Sequence, residues 1–206
     1  MLKIQQDFVS ADTDADGLVA GATGAGPWVP STPQLDGGIA HPVTITNGTE
    51  TDLSGILFTV VGSDADGNAV SAGVTGPTGA TGAMVTSADY FAQVDSVTPG
   101  SDIGADSVDI GWVKASRTPR LDVDHRRVPF SVAFALIPAG GSPNFTLQHT
   151  YDRDNWFTHG SISGETTAQE GAYTTPVLGM RLTFAEPGTV QFRGVQDGVL
   201  DASAAR

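Results

Sequence analysis

Residues 49–74, TETDLSGILFTVVGSDADGNAVSAGV, constrain the fold more than any other stretch, because they spell out a β-hairpin together with its turn. Ile56, Phe58 and Val60 alternate with Leu57, Thr59 and Val61, as a strand with a buried face requires. Ser63 to Asn68 then supplies turn formers, and Gly67 is free to take a positive φ. Ala69 to Ala72 restart the alternation on the return. A chain organised around such a hairpin is expected to be all-β.

The rest of the sequence has the same grammar. Its 206 residues suffice for one large or two small domains, and 26 Gly and 12 Pro separate short apolar runs. No residue is Cys, so burial and backbone pairing must hold the fold without disulfides or thiolate-bound metal. No run of about 18 apolar residues is present, so no membrane-spanning helix is expected. The N-terminal MLKIQQDFVS lacks an apolar signal core. A formal charge of −13 argues against a nucleic-acid binder, which needs cations to neutralise phosphates.

Taken in order, Leu2 to Val9 reads as a first strand or an extended arm, able to join a neighbouring subunit's sheet edge. Residues 10–38 read as loop, with Trp28 between Pro27 and Pro30 as an anchor on the core or on a partner. His41 to Thr46 reads as a strand, and Gly76 to Met84 (GPTGATGAM) as a tight Gly-rich turn too short for a collagen helix. Met84 to Thr86, Tyr90 to Val97 and Asp106 to Val113 continue the strands.

Lys114 to Arg127 holds five of the ten cations, and the domain boundary is placed there, giving domains 1–117 and 118–206. Arg117, Arg120, Arg126 and Arg127 make this segment a solvated linker or a basic strap for an acidic partner. Beyond it, Val128 to Ile137, Asn144 to Tyr151, Val177 to Phe184 and Thr189 to Val195 read as strands, and Asn155 to Thr158 carries Trp156 and Phe157. Ser161 to Tyr173 reads as a polar loop, Pro187-Gly188 as a turn, and residues 198–206 as a mobile tail. Two small sandwiches, or a barrel and a sandwich, in tandem fit this spacing.

Candidate chemistry is sparse. Asp12, Asp14, Asp16 and Gly17 match the start of a calcium loop, but Thr23 stands where a bidentate Glu belongs. Asp64 and Asp66 read as turn formers. His149 and His159 flank Asp152, Asp154 and Trp156 without a familiar metal spacing. Gly160-Ser161-Ile162-Ser163-Gly164 approaches a nucleophile elbow but has no strand-to-helix transition. No phosphate-cradling loop occurs. No catalytic group and no cofactor is assigned, and the chain is expected not to be an enzyme.

The wording itself resembles structural proteins of tailed bacteriophages. In the first half the matching positions include Ile56, Phe58, Val60, Gly62, Asp64, Asp66, Gly67, Asn68, Gly76, Pro77, Thr86, Ser87, Tyr90, Phe91, Val94 and Val97. In the second half they include Phe145, Leu147, Gln148, His149, Thr150, Asp152, Trp156, Phe157, His159, Tyr173, Pro176, Arg181, Gly188 and Gln196. Ala72-Gly73 departs from the Thr-Glu usual in the first pattern. The resemblance, over residues 12–196, implies a virion protein assembled in the host cytoplasm and without catalysis.

Within that class it implies a decoration (cement) protein bridging subunits of the major capsid protein, as a homo-oligomer or symmetric array. Trp28, Arg117, Arg120, Arg126 and Arg127 are the expected contact residues. A neck, collar or tail post stays open, as does a glycan-binding module using Trp156, Phe157 and Tyr173.

Overall fold

The structure, a computed structural model, describes residues 1–35 and 38–200. The all-β expectation holds: the described residues form strands, turns and bends, with no α-helix. The strands are β1 (Leu2–Ser10), β2 (Asp14–Ala22), β3 (His41–Asn47), β4 (Leu57–Ser63), β5 (Ala69–Thr75), β6 (Met84–Phe91) and β7 (Gln93–Pro99). They continue with β8 (Val108–Trp112), β9 (Ser116–Arg117), β10 (Leu121–Asp122), β11 (Arg127–Thr150), β12 (Trp156–Thr158), β13 (Gln169–Tyr173) and β14 (Gly179–Leu200). They fall into two compact units, residues 11–117 and residues 1–10 with 118–206. The N-terminal strand, grouped above with residues 11–117, therefore belongs to the other unit, because its nine residues pair in unbroken register with β14, from Leu2↔Gln196 to Ser10↔Gly188.

The unit of residues 11–117 is a sandwich of a four-stranded sheet, β2-β8-β3-β6, and a three-stranded sheet, β5-β4-β7. The hairpin forms as its alternation demands. Phe58 and Val60 of β4 are buried between Val74 and Ala72 of β5 and Pro99 and Val97 of β7. The opposing sheet contributes Val43, Ile45, Val108 and Ile110. Each such side chain, fully buried, stabilises by roughly 1.5–3 kcal/mol. Asp64 Oδ1 accepts the backbone N–H groups of Asp66 (2.9 Å) and Asn68 (2.8 Å), and Gly67 takes φ 81°, so the Asp residues here are turn formers.

Two expectations fail in this unit. Tyr90 to Val97 is not one strand but is divided between β6 and β7, which lie in different sheets. Residues 14–22 are not loop but an edge strand, whose Leu18 and Ala22 are buried against the core. Its sequence, DADGLVAGA, carries weak β-propensity, and pairing with β8 supplies what propensity does not. Gly76 to Met84 is a turn segment organised by the buried Asn47, whose amide donates to the carbonyls of Thr51 (2.8 Å) and Thr78 (2.9 Å).

The other unit is built on two long strands. β11 and β14 pair from Arg127↔Leu200 to Thr150↔Gly179 with register shifts between Val128 and Ser131 and between Pro138 and Phe145. Pro187-Gly188 is thus no hairpin turn. It lies opposite Gly141, which takes φ 69°, and both strands continue through the irregularity. β1 flanks β14, while β12 and β13 flank β11. Gln169–Tyr173, read above as loop, is a strand because it pairs with Val132 to Leu136. Phe130, Val132, Phe134 and Leu136 on β11, with Val190 and Phe192 on β14, line the core. Residues 198–200 of the expected tail close β14, and residues 201–206 lie outside the described residues.

Candidate functional site

Trp28 is a core anchor. Its backbone exchanges hydrogen bonds with Val97, its indole Nε1–H donates to Thr23 O (2.9 Å), and its ring tilts against Phe58 at 6.2 Å. The ring is partly buried and packs against the sandwich core.

The strap is neither a free linker nor an open row of cations. Arg117 belongs to the unit of residues 11–117. It exchanges backbone hydrogen bonds with Ala40 and lays its guanidinium over the Tyr90 ring at 4.1 Å. The other arginines belong to the second unit and meet the strap's own acids. Arg120 Nε lies 2.7 Å from Asp122, Arg126 Nε 3.1 Å from Asp124, and Arg127 Nε 3.7 Å from Asp124. Of these three side chains Arg126 is the most open, at 58% exposure.

Loss of solvent pushes the Asp124 carboxyl up, but hydrogen bonds from Arg126 and the charges of Arg126 and Arg127 outweigh it and hold the group below its ordinary value. The strap is stapled to β14 by Gln196, a fully buried side chain whose Oε1 accepts Asp124 N–H (3.0 Å) and whose amide donates to Asp124 O (2.7 Å). This residue has no sequence signature beyond its place in the phage-like pattern. Leu2, Asp122 to Arg126 and Arg153 line an open cleft of about 490 Å³ beside it.

The Asp12, Asp14, Asp16 segment is not folded as one loop. Asp14 and Asp16 run extended in β2, Asp12 O accepts the Trp112 indole N–H (2.9 Å), and the Trp112 ring fills the space a Cβ at Gly17 would need. Among the described residues no three His, Cys, Asp or Glu side chains converge to hold a metal ion.

The densest gathering of functional groups is an aromatic cluster on the β11–β12 side of the second unit. His149 packs on Tyr151 (5.2 Å), Tyr173 (5.1 Å) and Phe157 (6.0 Å), and His159 on Tyr173 (5.3 Å) and Phe134 (5.9 Å). Register brings them together, since Phe157 lies opposite His149 and Tyr173 opposite Val132. Burial lowers both imidazole pKa values, with the neighbouring His159 charge adding to the effect on His149. Burial, with the charge of Tyr151 adding to it, raises that of the Tyr173 phenol, which is hydrogen-bonded to His149 Nδ1 at 3.1 Å. The unfolded chain therefore takes up protons first as pH falls below the ordinary histidine value of 6.5, and the cluster loses stability in that direction.

Tyr151 and Phe157 form its open rim, each half exposed and 5.8 Å apart. Two residues assigned above to a glycan platform are placed otherwise. Tyr173 is buried, and Trp156 is capped by the Arg181 guanidinium at 3.9 Å. Ser161 Oγ lies 3.4 Å from His159 Nδ1 on an exposed turn, longer than the 2.6–3.2 Å of a nucleophile–base pair.

Asp152 sets the turn below this rim. Its Oδ1 accepts Asn155 N–H (2.7 Å) and Asp154 N–H (3.0 Å), its Oδ2 accepts the Asn155 amide (2.6 Å), and Arg153 takes φ 75°. The side-chain and backbone hydrogen bonds of Asn155 bring the carboxyl from 3.8 down to about 2. The turn is expected to be fully tied above pH 3.8 and to loosen as pH falls through about 2. The Asp154 and Asn155 amide resonances will report that titration, and Asp152→Ala will abolish it.

Comparison with known protein families, curated proteins and solved structures finds no match for this chain.

Proposed function

We infer that the chain is a non-catalytic structural component of a tailed-phage virion, a decoration protein that bridges subunits on the outside of the head. The observation that carries the reading is that most of the phage-like residues perform structural work in two compact β units. Phe58 and Val60 are core, Asp64 and Gly67 make the turn, Asp152 ties the second turn, and Gln196 staples the strap. Apolar side chains left open on sheet faces, such as Leu57 and Val61 on β4, suit attachment to another protein. Repeated on a symmetric lattice, weak contacts of that kind add up to firm binding. A neck, collar or tail position would use the same surfaces at lower copy number.

Quantitative mass spectrometry of purified virions tests the reading. A copy number comparable to the major capsid protein is expected. A count comparable to the portal moves the chain to the neck or tail, and absence from the particle overturns the structural role.

The Tyr151–Phe157 rim supports a second reading, a glycan-binding module in which two tilted rings stack on sugar faces beside Asp152 and Asn155. In that case a glycan array gives signals that Tyr151→Ala and Phe157→Ala each remove. A silent array ends it.

A further inference from the structure

Strand β1 is a long open edge. It runs nine residues in unbroken register with β14, it holds no Pro, Gly or bulge, and no strand of the described residues pairs along its other edge. Natural edge strands are normally blunted by Pro, a bulge, a covering element or charged side chains, because free N–H and C=O groups template pairing with another chain. The two charges of β1, Lys3 and Asp7, are of opposite sign and need not repel a second copy. Leu2, Lys3, Gln5, Gln6, Asp7 and Val9 are all exposed.

The outward-facing side chains are self-complementary. Side chains of one strand alternate between faces, so Met1, Lys3, Gln5, Asp7 and Val9 share one. Read from either end the order is apolar, charged, Gln, oppositely charged, apolar. If a second β1 is laid antiparallel with Gln5 facing Gln5, then Lys3 faces Asp7, Asp7 faces Lys3, and Met1, 81% exposed, faces Val9, 48% exposed. Every cross-strand pair on this face is matched, and opposite charges directly across a ladder stabilise it where like charges oppose it. Asp7 already sits on Arg193 at 2.5 Å yet keeps 51% of its side chain open, so it can accept a second cation.

We propose that β1 is an interface between two copies of this chain, joined antiparallel about a twofold axis through Gln5 into one continuous sheet. Such an isologous contact is closed, and stops at two copies. A net charge of −13 opposes unguided association, and the neutral, mutually matched strand is a place where it is locally overcome. The inference is independent of the virion reading, since the dimer forms from purified protein alone.

The test uses the full chain in sedimentation equilibrium and oxidative cross-linking. A concentration-dependent dimer is expected, and Lys3→Asp should weaken it by about tenfold or more through two like-charge pairs. Mixing Lys3→Asp with Asp7→Lys should restore a heterodimer, because each variant then faces its opposite. The chain has no cysteine, so engineered thiols report register directly. Gln5→Cys should form a disulfide with itself, since facing Cα atoms lie within the 4.4–6.8 Å a disulfide accepts. Lys3→Cys should cross-link to Asp7→Cys but not to itself. A monomer at all concentrations, a dimer indifferent to Lys3→Asp, or equal self-cross-linking by Gln5→Cys and Lys3→Cys overturns the proposal. The thiol experiment stands even if Asp7→Lys fails to fold through repulsion from Arg193.

Discussion

Phe192→Ala is expected to destabilise the unit of residues 1–10 and 118–206 by about 3–5 kcal/mol, a large fraction of the 5–15 kcal/mol that holds a typical domain folded. Phe192 is fully buried on β14, with Gln6 of β1 beside it on one flank and Leu136 of β11 on the other, and its ring stacks on Phe134 at 6.0 Å. Truncation leaves a cavity at the junction of three strands, where the ladder prevents the walls from closing in. Phe192→Leu keeps most of the volume and should cost less. Urea unfolding separates the effect by unit, since Trp156 reports on this one and Trp28 and Trp112 on the other. An unchanged midpoint for the Trp156 transition would show that the core does not depend on this ring.

Gly111→Ala should do comparable damage to the unit of residues 11–117 by the opposite mechanism. At Gly111 the backbone of β8 approaches that of β2 so closely that a Cβ would run into the carbonyl of Asp14 and the backbone of Ala15. The obstacle is main chain, so no rotamer change relieves it, and β2 must move off β8. A loss of about 3 kcal/mol is expected, at the upper end of overpacking costs. It should be accompanied by faster amide exchange in Leu18 to Ala22, while Gly67→Ala, at an open turn, acts only through its φ of 81°. Normal exchange in β2 would refute the close-approach argument.

The parts of this fold that the sequence displayed are those where local and tertiary preferences agree. Phe58 and Val60 alternate, Asp64 to Asn68 turn, and the two preferences select one hairpin. The parts it concealed are those where they conflict. The clusters PAGGSPN and EPG have the chemistry of turns, yet β11 and β14 run through both, because each absorbs its extra residues as an irregularity opposite the other. QEGAY looks like loop until Val132 to Leu136 lies beside it.

The candidate sites divide the same way. Trp28 was legible as an anchor, and the structure places it on the core. The strap's arginines stood out as a cluster, but the alternation of Arg and Asp that pairs them within one segment carries no long-range signal. The Tyr151–Phe157 rim depends on β11–β12 register, which spacing alone does not fix.

The placement of β1 bears on how the chain comes off the ribosome. Residues 11–117 are continuous in sequence and can complete a sandwich as soon as they are exposed, since both of its sheets, β2-β8-β3-β6 and β5-β4-β7, are built from strands within that span. β1 is synthesised before this sandwich and yet is satisfied after it, because its partners Gly188 to Gln196 follow residues 11–117 in the chain. Pairs of such sequence separation form slowly, and during the wait an unpaired strand is available to any neighbouring edge. On a polysome an adjacent nascent copy presents the same strand. The order of synthesis thus favours meeting a sibling chain before the strand's own sheet exists to receive it.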